Sequence, residues 1–81
     1  MMDKEFNKIV GKELMLLRKN SDYSNQELSK ITNISSSTIS RYENGNSKMN
    51  LDIIAKIVNA CDTSIYIFFS KCIAKMQNNL K

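Results

Sequence analysis

The sequence predicts an all-α fold of five helices, and three observations carry that prediction. Proline is absent and glycine occurs only twice in 81 residues, too little turn punctuation for a chain of β-hairpins. Apolar residues recur at three- and four-residue spacing along almost the whole length. Between these stripes stand Ser, Asn and Asp residues of the kind that start and stop helices. A chain of 81 residues holds one domain, and a core that small is often reinforced by dimerisation.

The first helix is read from Glu5 to Asn20, on Phe6, Ile9, Val10, Leu14 and Leu17. Glu13 lies inside that stripe as a local flaw. Asn20, Ser21 and Asp22 end the helix. Ser24-Asn25-Gln26-Glu27 is a capping box: the Ser24 hydroxyl accepts from the Glu27 amide, and the Glu27 carboxylate accepts from the Ser24 amide. The short second helix that follows carries Leu28, with Ile31 as its second apolar position. It stops at Asn33, the usual substitute for glycine in a left-handed helix terminus.

Ile34 plugs the next turn and Ser35 caps a third helix. Ile39 and Tyr42, three apart, share its inner face, and the helix stops at Gly45. Asn46 to Met49 form a loop. Asn50 caps a fourth helix with Leu51, Ile54, Ile57, Val58 and Cys61 on one side. Asp62 and Thr63 break it, and Ser64 caps a fifth helix over about 65–78. Its stripe of Ile65, Phe68, Phe69, Cys72, Ile73, Met76 and Leu80 is wide. A wide stripe on a terminal helix covers more core or meets a second subunit. Phe68 is assigned to the core, and Phe69, Ile73 and Met76 to a dimer interface.

Composition narrows the function. Twelve Lys/Arg against eight Asp/Glu give a net charge of +4, which favours an anionic partner. Histidine is absent, which removes histidine bases, triads and metal ligands. Cys61 and Cys72 lack the spacing and companions of a zinc site and read as reduced core thiols. No catalytic constellation can be assembled, so no enzyme, metal or cofactor is expected. The first residues lack an apolar signal region, and the run from Ile65 to Phe69 is too short to span a bilayer. A cytoplasmic protein without membrane contact is expected.

Two short helices joined by a three- or four-residue turn form the skeleton of a helix-turn-helix, here at about 25–44. Such a unit needs a buried lock, a polar reading face on its second helix, and donors for phosphate beside it. Leu28, Ile34, Ile39 and Tyr42 supply the lock, and Ser29 is small where the helices approach. Ser36, Ser37, Ser40 and Arg41 form the exposed face. Asn25, Asn44, Asn46 and Lys48 flank it as phosphate donors. Arg41 is the leading base reader, because an arginine there can bond guanine bidentately. The competing account of Ser36 and Ser37 is solvated hydroxyls, and that of Arg41 and Lys48 is ordinary surface charge. Lys71 and Lys75, four apart, are read as keeping the last helix soluble.

Residues 11–69 resemble the phage-repressor/Cro-type, or XRE-type, helix-turn-helix family. The resemblance lies in Gly11-x-x-Leu14-x-x-Leu17-Arg18, Ser24-x-x-Glu27-Leu28-Ser29 and Ile34-Ser35-x-x-x-Ile39-Ser40-x-Tyr42-Glu43-Asn44-Gly45. The tail from Leu51 to Phe68 follows the same plan, and Ser37 to Gly45 is the most specific stretch. The resemblance implies a five-helix repressor-like DNA-binding fold and a homodimer on a palindromic operator. It implies base contacts from Ser36, Ser37, Ser40 and Arg41, and phosphate contacts from Asn25, Thr38, Asn44 and Lys48. It also implies a structural ion pair between Arg18 and Glu43. The chain departs from the family at Asn25, commonly Gln, and at Thr32 and Asn33, usually an apolar residue and Gly. Met15 stands where many members carry a basic residue.

The expected partner is double-stranded DNA, with no small-molecule effector, on the plan of restriction-modification controllers and small mobile-element repressors. Two rivals stand beside this reading: an antitoxin whose last helix grips a toxin, and a helical interaction adaptor that binds no DNA.

Overall fold

A computed structural model describes residues 2–48 and 50–79 of the chain. Five helices follow in order: α1 (Met2–Asn20), α2 (Asn25–Thr32), α3 (Ser36–Glu43), α4 (Leu51–Ala60) and α5 (Ile65–Asn79). The described residues contain no strand. α1 starts almost a turn earlier than its stripe predicts. Met49 of the predicted loop and Leu80 of the predicted α5 stripe lie outside the described residues.

Each boundary has a local chemical cause. Ser24 and Glu27 make both bonds of the capping box, at 3.1 and 2.8 Å. Ser35 accepts from the Thr38 amide at 3.2 Å, Asn50 from the Asp52 amide at 3.0 Å, and Ser64 from the Ile67 amide at 3.1 Å. These bonds satisfy amides that a helix start leaves without partners. The turns after α1, α2 and α4 pass through left-handed residues: Asp22 at φ 61°, Asn33 at φ 60° and Asp62 at φ 58°. Asp and Asn tolerate that region better than other residues with a Cβ. The chain thereby turns three times without glycine.

α1 packs against α3 and α5, α2 against α3 and α4, and α4 against α5. The core between them holds Val10, Leu14, Leu28, Ile39, Ile54, Ile57, Val58, Phe68 and Cys72, all nearly or wholly buried. Fully burying one such side chain is worth roughly 1.5–3 kcal/mol. α1 crosses α3 at Gly11, where a Cβ would overlap the Tyr42 carbonyl oxygen and lie 2.8 Å from that of Glu43. No residue larger than glycine fits this crossing without moving α3.

Two apolar residues, Ile31 and Leu51, lie outside their predicted stripes, and Ile73, assigned to a dimer interface, is exposed. Ile31 is 53% exposed, because α2 turns Asn25, Leu28, Ser29 and Thr32 inward and Ile31 falls on the flank of that face. Leu51 is 63% exposed, one turn before Ile54 and past the edge of the core. Ile73 is 46% exposed, whereas Phe68 and Cys72 are buried.

Candidate nucleic-acid interface

α2, the turn at Asn33–Ser35 and α3 form one rigid unit. The Ser29 hydroxyl donates to the Ile34 carbonyl at 2.5 Å, and Thr32 donates to the Leu28 carbonyl at 2.8 Å. The Ile34 amide donates to the Thr32 hydroxyl at 3.3 Å. Thr32, which departs from the apolar residue of the family pattern, thus supplies hydrogen bonds to the turn. Ile34, Ile39 and Tyr42 bury their side chains behind α3. Burial pushes the Tyr42 phenol above its ordinary pKa, and the Asn50 backbone offsets part of that rise.

The outward face of α3 carries Ser36, Ser37, Ser40 and Arg41, all exposed. Arg41 donates to the Thr38 hydroxyl at 3.3 Å, and Thr38 accepts from the Ser35 hydroxyl at 2.8 Å. Thr38 is therefore half-buried and engaged, a link between the helix cap and the arginine. Across the interhelical gap the Asn25 side-chain amide donates to the Ser40 hydroxyl at 3.0 Å. The Asn25 side-chain oxygen is buried without a partner. Asn25 thus ties α2 to the middle of α3 through one N–H, which leaves its second side-chain N–H for another acceptor. Asn44, Asn46 and Lys48 follow α3 and are exposed. The loop folds back on the helix, with the Asn46 amide donating to the Arg41 carbonyl at 2.9 Å.

Behind this face stands a brace. The Arg18 Nε lies 2.7 Å from one Glu43 oxygen and its Nη2 3.1 Å from the other. The third arm, Nη1, donates to the Tyr23 carbonyl at 3.0 Å. The hydrogen bonds to Glu43 raise the Arg18 pKa above its ordinary value, against the opposing effect of burial. One guanidinium therefore joins α1, the turn before α2 and the end of α3.

The arrangement of two short helices, a polar outward face and a buried lock has a match in sequence. Residues 14–68 match the family model described as Helix-turn-helix. The chain belongs to this helix-turn-helix family, of the XRE type. No curated protein sequence matches it. Among solved structures it is similar to the clp gene regulator ClgR from Corynebacterium glutamicum. One ClgR structure superposes with a TM-score of 0.85 at 17% identity, covering 93% of this chain and 80% of that one. A second superposes with a TM-score of 0.79 at 17% identity, covering 85% and 88%. This likeness shows the shared all-α fold.

The chain is thus a DNA-binding helix-turn-helix domain of the kind used in transcription regulation. Sequence reasoning missed the bond between Asn25 and Ser40, the hydroxyl relay from Ser35 to Arg41, and the Tyr23 carbonyl under Arg18. The Asn25–Ser40 bond runs between helices, where spacing within one element holds no signal, whereas Ser35, Thr38 and Arg41 stand three apart on α3 and its cap and could have been read from that spacing. The residues assigned to a dimer interface lie on α5 in three different settings. Ile73 is exposed and Met76 half-buried. Phe69 stacks on Phe6 at 6.4 Å and meets Phe68 edge-on at 5.3 Å. Among the described residues no single helix is long and apolar enough to cross a membrane.

Proposed function

We propose that the protein is a sequence-specific transcriptional regulator, a repressor or controller that binds a palindromic operator as a homodimer in the cytoplasm. Two copies of α3 then enter successive major grooves about 34–36 Å apart. Arg41 is the principal base reader, with Ser40, Ser36 and Ser37 beside it. Asn25, Thr38, Asn44, Asn46 and Lys48 hold the phosphates on either side. Ile73, with Phe69 and Met76, faces the second copy. The protein performs no catalysis and needs no small-molecule effector.

One observation carries this reading: Arg41 stands exposed on the outward face of a helix whose other side is locked to α1 by Arg18 and Glu43. A fixed helix with an exposed arginine suits bidentate recognition of guanine, worth roughly 1–3 kcal/mol of discrimination. The test is selection of binding sites from a random duplex pool. The wild type is expected to enrich an inverted repeat. Arg41→Ala should keep the fold and relax preference at one position in each half-site. Unchanged preference would remove Arg41 from the reading face, and no enriched sequence at all would favour the adaptor.

A further inference from the structure

A cleft of about 450 Å³ opens where the first half of α1 meets the loop after α3. Asn7 and Lys8 form one wall, and Gly45, Asn46, Ser47 and Lys48 form the other. Every lining residue is polar or glycine, two are cations, and no carboxylate is among them. The other two clefts described, on the α1–α5 side, both include Glu13 and apolar side chains. Charge and polarity therefore single out the first as a place for an anion.

The two walls are brought together by backbone chemistry. Gly45 sits at φ 71°, and a Cβ there would lie 2.9 Å from the Lys8 Cα and 3.0 Å from its Cγ. Glycine allows the stem of Lys8 to lie across the loop, while the residue as a whole remains exposed. The opposite wall is pinned to the last turn of α3. The Gly45 amide donates to the Tyr42 carbonyl at 3.1 Å, and the Asn46 amide to the Arg41 carbonyl at 2.9 Å. The cleft is thus fixed to the same turn that carries Arg41. The C-terminal end of a helix bears partial negative charge, so an anion beside it needs strong cationic compensation. Lys8 and Lys48 provide two ammonium groups.

We propose that this cleft binds a phosphodiester of the DNA backbone, with Lys8 and Asn7 of α1 closing over a phosphate that Lys48 and Asn46 approach from the loop. The inference rests on the DNA-binding reading and extends its footprint from the helix-turn-helix to α1. A helix seated in the major groove brings the segment that follows it toward the flanking strand, where phosphate contacts set register without reading sequence.

The experiment measures binding to a short duplex of random sequence against salt concentration, for the wild type, Lys8→Gln, Lys48→Gln and the double variant. Both lysines are exposed, so melting temperatures should stay at the wild-type value. Each single variant should reduce the log–log salt slope, and the double variant should reduce it by about 0.9, the share of the one phosphate the two lysines hold together. Each should weaken random and selected sequences by the same factor. A Lys8→Gln slope equal to that of the wild type, beside a reduced Lys48→Gln slope, would overturn the α1 contact while leaving DNA binding intact. A wild type without salt-dependent binding would overturn the underlying DNA reading as well, and the wild-type curve alone distinguishes the two failures. Amide resonances of Gly45 and Asn46 should shift with duplex and stay unmoved by inorganic phosphate at matched ionic strength. A saturable shift with inorganic phosphate alone would make this a free-anion site and overturn the assignment.

Discussion

Two buried carboxylates, Glu43 on α3 and Glu13 on α1, are each met by one cation, and the two pairs are built differently. Glu43, at the end of α3, is gripped through both oxygens by Arg18, with side chains only 12% and 6% exposed. Glu13, on α1, is met through one oxygen by Lys75 of α5, whose side chain is 50% exposed. A planar guanidinium with fixed donors sets an angle between the elements it joins. An ammonium on a flexible stem neutralises a charge and tolerates movement. α3 is therefore held at a set orientation, whereas α5 is attached by a contact that permits adjustment.

Breaking the first pair should have the largest effect. Arg18→Met leaves Glu43 buried without its cation and removes the bond to the Tyr23 carbonyl, at a cost of about 3–5 kcal/mol in urea unfolding. For a domain of this size that loss approaches the whole stability. Adding Glu43→Leu should recover much of it, since an apolar pair of similar volume leaves no charge behind. A single variant that loses less than about 1 kcal/mol would place the Arg18 pair in the class of surface ion pairs.

Breaking the second pair should cost less. Lys75→Met is expected to lose less than Arg18→Met, because only one hydrogen bond is removed and the lysine end of the pair is open to water, although Glu13 itself is buried. Its clearer signature is at Cys72, which lies wholly buried in the core beside this seam. Burial pushes the Cys72 thiol up to about 12, and the nearby Glu13 carboxylate adds to the rise. At neutral pH the thiol is protonated and shielded, so disulfide reagents must wait for the seam to open. In a Cys61→Ala background, Lys75→Met should speed Cys72 labelling by a larger factor than its loss of global stability explains. Labelling that tracks global unfolding alone would show that Lys75 does not hold this seam closed.

The contrast also explains what the sequence could reveal. The capping box, the left-handed Asn33 and the Ser35 cap are local chemistry, and they place α2 and α3 to within a residue. The Arg18–Glu43 pair spans 25 positions and was legible through the family resemblance alone. Glu13 and Lys75 are 62 positions apart, and no spacing rule reaches that far. Periodicity marked Glu13 as a flaw in an apolar stripe, yet its partner depends on how α5 lies across α1. On the same grounds Lys75 was read as a solvating charge. Ile31 and Leu51 carry the same lesson, since apolar character gives a preference for burial and packing decides which positions receive it.

The smallest expected effect concerns a carboxylate that is neither buried nor ion-paired. Glu27 is fully exposed, and the Ser24 amide and then the Ser24 hydroxyl hold its pKa below the ordinary 4.5. A carboxyl whose folded pKa is depressed adds stability above its unfolded pKa and loses it as pH falls through the folded value. Glu27→Gln keeps an acceptor for the Ser24 amide but carries no charge to titrate. Wild type should therefore melt slightly above Glu27→Gln at neutral pH. The gap should close as the pH drops below about 4.5 and through the depressed pKa. A gap that persists at acid pH would mean that the carboxylate charge contributes nothing to the α2 cap beyond what a neutral amide supplies.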